Sequence, residues 1–250
     1  MSSSQVWTPL PSPVPKALLA RHVGIIMDGN GRWARRQGLL RVRGHEAGAE
    51  AVREVVRYSS RVGLKVLTLY AFSTENWQRP RKEVSFLMNL LNRYLEKETA
   101  ELHRENVRIT TIGNIGELPA KSRTILDKSM RLTAQNSGLV LCLALNYGSH
   151  AELVKAAQQV AGEARAGTLK PEDLTVEDFE ARLFTGEFPP VDLLIRTAGE
   201  QRVSNFLMWQ ASSAVFHGIE KCWPEFGPAE LEAALVVCAS QPLGEHQVPA

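Results

Sequence analysis

His22-Val-Gly-Ile-Ile-Met-Asp28-Gly-Asn-Gly-Arg-Trp33 is the stretch that decides the fold and the candidate site. Its run Val23–Met27 is short, apolar and rich in isoleucine, which predicts a buried strand. Asp28 then stands at the carboxyl end of that strand, where Gly29 and Gly31 allow a tight turn close to a ligand. A cluster of basic residues follows: Arg32, Arg35, Arg36, Arg41, Arg43 and His45. One acid beside so many cations favours a magnesium-assisted diphosphate site over a strand–turn–helix corner with a solvated basic helix.

Strand-like and helical segments alternate along the rest of the chain. Strands are predicted at Val23–Met27, Lys65–Phe72, Val107–Ile112, Leu139–Leu145, Val191–Ile195 and Ile219–Cys222. Helices are predicted at His45–Val62, Glu83–Glu105, Pro119–Gln135, Ala151–Ala164, Thr175–Phe184, Ser204–Val215 and Pro228–Val237. This alternation predicts the α/β class, with a mostly parallel central sheet flanked by helices in a single domain.

The two ends of the chain differ in composition from its middle. Residues 1–18 are mostly polar and proline-rich, which predicts a disordered leader before a domain over residues 19–240. Residues 241–250 form a tail without arginine. No apolar run approaches the ~20 residues of a membrane span, so any membrane contact is expected to be peripheral, at the inner face of the membrane.

Charge and cysteine content narrow the functional classes. The 250 residues carry a formal net charge of only +2, which argues against nucleic acid as a partner, while the local basic clusters suit a small polyanion. Cys142, Cys222 and Cys238 are odd in number and far apart, so they predict neither a disulfide framework nor a metal site. We therefore expect a cytoplasmic protein.

Polar segments follow several of the predicted strands. They are Asp28–Trp33, Ser73–Arg79, Asn146–Gly148 and Arg196–Ser204. Carboxyl ends of parallel strands share one edge of the sheet, so these segments are expected to converge there. The chain has no P-loop, no third glycine of a dinucleotide fingerprint and no nucleophile elbow. With these motifs absent, the remaining interpretation is a site that recognises diphosphate through arginines, backbone amides and magnesium on Asp28.

The segment that begins at Glu83 adds a second clue. Val84, Leu87, Met88, Leu91 and Leu95 share one helical face, which Phe86 and Leu90 widen. Such a face belongs either to a buried helix or to the wall of an apolar channel. A polar anion site above an apolar channel suits an amphiphile such as a prenyl diphosphate.

With these residues assembled, the chain resembles the cis-prenyltransferases, and among them the bacterial undecaprenyl diphosphate synthases. The resemblance runs from about His22 to Phe226. It rests on His22–Trp33, Arg41-x-x-Gly44-His45, Leu69–Trp77 with Arg79-Pro80, Asn146–Gly148, Asp192–Thr197 and Arg202–Leu207. The family condenses isopentenyl diphosphate with an allylic diphosphate such as farnesyl diphosphate, makes Z double bonds and acts as dimers. The resemblance therefore implies a homodimer with a hydrophobic tunnel that makes a Z-polyprenyl diphosphate, an undecaprenyl-type precursor of the cell-wall lipid carrier.

The resemblance also implies roles for individual residues. Asp28 is expected to hold Mg²⁺ against a diphosphate and, with Asn76 assisting proton removal, to form the catalytic pair. The allylic diphosphate is expected to contact Gly29, Asn30, Gly31, Arg32 and Arg41, with His45 assisting the leaving group. Arg196, Arg202 and Ser204 are expected to hold isopentenyl diphosphate. The other implied substrate contacts are Trp33, Ser73, Thr74, Glu75, Trp77, Arg79 and Val203, and Ala71 and Leu139 are expected along the tunnel with the Val84–Leu95 helix.

Two departures from the family pattern lie near the C-terminus. Many members carry a magnesium-binding glutamate where this chain has Val215, and many end in an arginine-rich segment that residues 241–250 lack. These departures leave two alternatives to a fully active synthase. One is a catalytically weak or inactive homologue acting as a binding or regulatory subunit, and the other is a transferase that joins prenyl units in another geometry.

Overall fold

A six-stranded parallel sheet organises the computed structural model, which describes residues 7–241. Its strands are β1 (His22–Ile26), β2 (Val66–Ser73), β3 (Arg108–Ile112), β4 (Val140–Tyr147), β5 (Leu193–Arg196) and β6 (Val215–Gly218). They lie in the order β3-β4-β2-β1-β5-β6, and each neighbouring pair is parallel. The predicted α/β class with a parallel sheet in a single domain is confirmed.

Helices cover both faces of this sheet. They are α1 (Asn30–Arg36), α2 (Arg41–Val62), α3 (Arg81–Arg104), α4 (Ala120–Thr133), α5 (Ser149–Arg165), α6 (Val176–Glu180) and α7 (Pro228–Ser240). The larger apolar core joins one face of the sheet to α2, α3 and α7, where Val55, Leu95 and Leu231 are fully buried. A smaller core on the other face contains Phe206 and Leu207. Within residues 7–241, no helix is both long and apolar enough to cross a membrane.

The predicted helix Ser204–Val215 is wrong. Ser204, Asn205 and Leu207 all have positive φ angles, of 46°, 59° and 48°, so the chain turns here instead of winding. Phe206 and Leu207 are buried in the smaller core. The last strand is Val215–Gly218 instead of Ile219–Cys222, and it pairs with β5 from Leu193↔Val215 onward.

Other boundaries also differ from the sequence prediction, and α1 (Asn30–Arg36) was not predicted. The helix predicted at Thr175–Phe184 ends at Glu180, although Thr175 does cap it by accepting a hydrogen bond from the Asp178 amide at 3.1 Å.

The part of the predicted leader that the structure describes is packed instead of disordered. Trp7 Nε1 donates to Glu101 at 3.2 Å, and the Leu10 amide donates to the Arg61 carbonyl at 2.9 Å. Residues 1–6 and 242–250, which include nearly all of the predicted tail, lie outside the described residues.

Candidate active site

A cavity of about 580 Å³ opens at the carboxyl edge of the sheet and runs between the sheet and helices α2 and α3. The polar segments that follow β1, β2 and β5 meet at its mouth, as the sequence predicted. The predicted site residues that line it are Asp28, Gly29, Asn30, Gly31, Arg41, His45, Ser73, Glu75, Asn76, Arg79, Arg196 and Ser204.

Asp28 and Arg196 form the pair at the centre of the mouth. The guanidinium Nη2 and Nε of Arg196 donate to the same carboxylate oxygen, Oδ2 of Asp28, at 2.7 and 3.0 Å. Nη1 of Arg196 donates to the Ser204 hydroxyl and to the Arg202 carbonyl. One arginine therefore ties the loop after β1 to the loop after β5. The other oxygen, Oδ1 of Asp28, takes no hydrogen bond from residues 7–241.

Glu83 joins the two arginines on the α2–α3 side of the mouth. Its Oε1 accepts a hydrogen bond from Arg79 at 2.8 Å and lies 3.3 Å from Nη2 of Arg41. Sequence reasoning missed this residue, although its position four residues after Arg79 in the first turn of a helix is a recognisable ion-pair spacing. The carboxylate occupies a position between the two cations that a phosphate group could also take.

The start of α1 packs directly on α2 through two small residues. A Cβ placed on Gly44 would lie 2.0 Å from the Asn30 carbonyl oxygen, and one on Gly48 would lie 2.3 Å from Oδ1 of Asn30. Gly29, just before α1, has φ 96°, which favours glycine. These contacts explain how the Asp28–Gly31 turn is held rigidly at the cavity.

His45 is neutral in this setting. Burial lowers the pKa of His45 to about 4, and the nearby Arg79 and Arg41 add to the effect. Its Nε2 is buried and has no partner in residues 7–241, and the same holds for Oδ1 of Asn30. Two polar atoms of cavity-lining residues are thus buried without a hydrogen-bond partner among the described residues.

The turn after β2 is held by its own side chains. Oδ1 of Asn76 accepts a hydrogen bond from the Ser73 amide at 3.3 Å and so caps this turn. Glu75 accepts from Nδ2 of Asn205 at 3.0 Å. Burial alone would raise the pKa of Glu75, but hydrogen bonds from Asn205 and the local turn lower it below its ordinary value. Asn205 is a second residue that sequence reasoning missed, because it lies in the segment predicted as a helix.

The other predicted site residues do not line the cavity. They are Arg32, Trp33, Thr74, Trp77, Arg202 and Val203. The indole ring of Trp77 is held by a residue outside the cavity, because its Nε1 donates a hydrogen bond to Oδ1 of Asn146 at 2.8 Å. Glu200 lies between Arg32 and Arg202, at 3.4 and 2.5 Å. A further lining residue missed from the sequence is Trp223, whose Nε1 donates to the Gly48 carbonyl at 2.8 Å.

The inner part of the cavity is apolar. From α3 it takes Leu87, Met88, Leu90, Leu91 and Tyr94, so the predicted Val84–Leu95 helix is indeed one wall. The sheet contributes Ala71, again as expected. Leu139 was also expected along the tunnel, but it lies 2% exposed in the closed core, because it precedes β4 at the end of the sheet away from the mouth.

Val215 lies far from the Asp28 carboxylate. It pairs with Leu193 at the amino end of β6, whereas Arg196, which contacts Asp28, pairs with Gly218. Three strand residues correspond to roughly 10 Å. Val215 is 8% exposed and belongs to the large apolar core. Within one chain, this residue therefore does not remove a ligand from the side of Asp28.

The residues at the mouth fit a magnesium ion that is shared with a substrate. Within residues 7–241, no three His, Cys, Asp or Glu side chains form a metal-binding group. Asp28 offers one free carboxylate oxygen on a side chain that is 40% exposed. Mg²⁺ commonly takes only one or two carboxylates and completes its shell with water and substrate phosphates. This donor set suits that mode and does not suit a metal caged by protein alone.

Comparisons with known proteins identify the family of the chain. Residues 26–241 match the family model described as putative undecaprenyl diphosphate synthase. The chain is 50% identical over 214 residues to an isoprenyl transferase of Brucella abortus, covering 86% of this chain and 84% of that protein. It is 45% identical over 221 residues to the ditrans,polycis-undecaprenyl-diphosphate synthase ((2E,6E)-farnesyl-diphosphate specific) of Salmonella paratyphi A, covering 88% of each.

A solved structure is also closely similar. The lavandulyl diphosphate synthase of Lavandula x intermedia, crystallised with dimethylallyl diphosphate, matches with a TM-score of 0.89 and 34% identity, covering 92% of this chain and 99% of that one. These relatives are transferases, which favours the enzyme over a non-catalytic subunit. The chain belongs to the undecaprenyl diphosphate synthase family and is a cis-prenyltransferase.

Proposed function

We propose that this enzyme joins isopentenyl diphosphate to an allylic diphosphate at the mouth of the α2–α3 cavity and makes a Z-polyprenyl diphosphate. The observation that carries this proposal is the cavity's division into a charged mouth and an apolar interior. Its mouth holds Arg41, Arg79 and Arg196, and its interior holds leucines of α3. Farnesyl diphosphate is the primer we expect, because the Salmonella relative is named as specific for it.

The proposed reaction breaks one bond and forms another. The C1–O bond of the allylic diphosphate breaks, and diphosphate leaves with the electron pair. A new bond joins that C1 to C4 of isopentenyl diphosphate, and C2 of the same unit loses a proton. Negative charge grows on the leaving diphosphate, so Arg41 and the backbone amides of the Gly29–Gly31 turn stabilise the transition state.

Isopentenyl diphosphate is assigned to the opposite side of the mouth. Arg196 is only 4% exposed and already contacts Ser204 and the Arg202 carbonyl, which fixes the direction of its guanidinium. Most of its N–H groups already donate to Asp28, Ser204 and the Arg202 carbonyl, so Arg196 is assigned to attract a phosphate mainly through its positive charge. Asn76 is assigned to assist the departure of the C2 proton, since its amide lines the cavity beside this turn.

Asp28 is the residue we assign to Mg²⁺. Its free Oδ1 would hold the ion together with oxygens of a bound diphosphate, and when bound the ion neutralises charge on the leaving group. Neutral His45 is assigned to the same diphosphate through its buried, unpartnered Nε2.

Three further properties are part of the proposal and follow from the family. They are a homodimeric assembly, a cytoplasmic location and peripheral contact with the membrane that receives a long apolar product. The strength of membrane contact grows with the apolar area that becomes buried, so a longer product is expected to increase it.

A condensation assay tests the proposed activity. Purified full-length protein is incubated with farnesyl diphosphate, labelled isopentenyl diphosphate and Mg²⁺, and extracted products are analysed for chain length and double-bond geometry. We expect labelled Z-prenyl diphosphates that disappear when Mg²⁺ is chelated. Binding of both substrates without incorporation of label would instead support the non-catalytic subunit. A labelled product that lacks new Z double bonds would support a transferase of another geometry.

A further inference from the structure

Two adjacent leucines are exposed in the turn that joins α1 to α2. Leu40 is 76% exposed, more than any other large apolar side chain among the described residues, and Leu39 is 46% exposed. The backbone of this turn is ordered, because the amides of Gly38 and Leu39 donate to the carbonyls of Arg35 and Ala34 at 3.1 and 2.8 Å. Gly38 supplies the φ of 67° that such a turn needs. The fold therefore holds two apolar side chains in solvent, where they are expected to meet a partner.

These leucines lie beside the mouth of the cavity. Arg41 follows Leu40 directly in the chain and lines the cavity. Its Nη2 lies 3.3 Å from Oε1 of Glu83, which belongs to the first turn of α3. The turn before α2 and the beginning of α3 thus both border the mouth. Whatever covers Leu39 and Leu40 therefore also lies next to the cavity opening.

Basic residues surround the two leucines. Residues 29–45 contain five arginines and no aspartate or glutamate, and Arg81 and Lys82 immediately precede Glu83. Arg35, Arg81 and Lys82 are exposed and form no salt bridge within residues 7–241, unlike Arg41. Cations in the first turn of a helix oppose its dipole, so Arg81 and Lys82 do not stabilise α3. These charges are available to an anionic partner.

We call Arg35, Leu39, Leu40, Arg81 and Lys82 the rim surface. From its exposed leucines and unpaired cations, we propose that this surface docks on a lipid bilayer with anionic headgroups. The proposal rests on the proposed function and names the surface and the lipid charge through which membrane contact occurs. The leucines enter the boundary between headgroups and acyl chains, and the three cations contact lipid phosphates.

A bilayer suits the rim surface better than a folded protein does. A stable protein interface buries ~800 Å² on each partner, which is more than two leucine side chains provide. Long basic side chains around a small apolar patch instead match the layered polarity of a membrane surface. With the rim surface on the bilayer, the cavity mouth faces the membrane, and an apolar product leaves the cavity without crossing water.

Vesicle binding tests the proposal without any substrate. Full-length wild type is titrated with vesicles of phosphatidylcholine alone and with vesicles that contain about one third phosphatidylglycerol, and bound protein is measured after sedimentation. We expect the wild type to bind the anionic vesicles at least about tenfold more tightly, with a preference that shrinks as salt rises. Leu39→Ser/Leu40→Ser should weaken this binding by about tenfold. Arg35→Gln/Lys82→Gln should reduce the preference for anionic vesicles.

Leu132→Ser is the matched control, because Leu132 is also 46% exposed and follows an arginine, but lies on α4 and does not line the cavity. It should bind vesicles as the wild type does. The proposal is overturned if the wild type binds both kinds of vesicle equally, if the double leucine variant binds like the wild type, or if Leu132→Ser loses as much binding. It is also overturned if the double leucine variant loses self-association instead of vesicle binding, because a second copy of the chain would then cover the leucines.

A separate condensation assay without vesicles distinguishes failure of this proposal from failure of the proposed function. The double leucine variant should condense at the wild-type rate there, because neither side chain lines the cavity. Vesicle binding that depends on the leucines, without any condensation, would overturn the proposed function and support docking by the rim surface. Condensation by a wild type that does not bind anionic vesicles would overturn docking and support the proposed function.

Discussion

Arg196 is 4% exposed, whereas the Asp28 side chain with which it pairs is 40% exposed. The arginine is thus a buried support, and the carboxylate is the group that it presents at the mouth of the cavity. Because Arg196 has two other acceptors, its charge remains partly satisfied when the carboxylate is removed. Catalysis and stability can therefore be separated at this pair.

Substitution of Asp28 should separate its effect on catalysis from its effect on stability. Asp28→Asn keeps an oxygen that can accept from Arg196 but lacks the negative charge needed for Mg²⁺. We expect it to lower kcat by about 100- to 1000-fold with little change in Tm. Asp28→Ala should lose as much activity and also lower the Tm, because Arg196 loses an acceptor. Steady-state kinetics over a Mg²⁺ series and thermal unfolding provide the measurements. Near-normal kcat in Asp28→Asn would refute the assigned role.

Glu83 is expected to compete with diphosphate for Arg41 and Arg79, because it forms ion pairs with both. Replacing it by glutamine weakens both ion pairs and leaves the two cations free. We expect Glu83→Gln to bind inorganic diphosphate about 3- to 10-fold more tightly at low salt, and the gain should shrink as salt rises. Isothermal titration calorimetry measures the dissociation constant for inorganic diphosphate at each salt concentration. Glu117→Gln is the control, because it leaves all cavity-lining groups in place. Weaker binding of diphosphate by Glu83→Gln would show instead that Glu83 orders the two arginines.

His45 should make the protein less stable in mild acid. Its pKa in the folded state is about 4, below the 6.5 of an ordinary histidine, so the unfolded chain takes up the proton first as pH falls. Stability is lost between pH 6.5 and 4, and the share of His45 at pH 5 is about 2 kcal/mol. Urea unfolding at pH 7 and 5 measures this loss.

His45→Gln should reduce this pH dependence without removing it, because His22 is shifted to about 4 in the same way by burial. The control is His150→Gln, since His150 is exposed and its ring borders no part of the cavity. An unchanged pH dependence in His45→Gln would contradict the assigned burial of this ring.

Gly44 should tolerate no side chain. The Cβ of Gly44→Ala would overlap the Asn30 backbone, which cannot move without displacing the Asp28–Gly31 turn. We expect a loss of about 1–3 kcal/mol in the free energy of unfolding, together with lower activity. Gly162→Ala in α5 is the matched control, because nothing lies within 4 Å of its added Cβ, and it should stabilise by about 0.5–1 kcal/mol. Equal effects at both positions would argue against close α1–α2 packing.

The sequence predicted most of this fold because its strands and helices are locally consistent. Apolar runs of five to eight residues gave the strands, and Gly63, with φ 90°, ended α2 where predicted. The predicted helix after Ser204 was wrong because of long-range contacts. Apolar residues of this segment fill the smaller core, and three of its residues have positive φ angles. The amide of Ser149 also donates a hydrogen bond to the Asn205 carbonyl at 2.9 Å. Such long-range contacts override local helix preference.

Residues at the cavity were predicted where they follow strands, and missed where their position depends on contact with a segment distant in sequence. Asp28 could be located from its own neighbours. The contacts of Glu83 with Arg41, and of Asn205 with Glu75, join segments 42 and 130 residues apart, and no local pattern reveals them. The depth of the cavity likewise depends on how α2 and α3 pack against the sheet.

The central place of β1 in the sheet has a consequence for synthesis of the protein. β1 pairs with β2 on one side, but its other side waits for β5, which begins 171 residues after the start of β1. At about 5–20 residues per second, a ribosome needs roughly 10–30 s to make that intervening chain. Through that interval the β5 side of His22–Ile26 has no strand to pair with, and an unpaired apolar edge of this kind favours aggregation of the nascent chain.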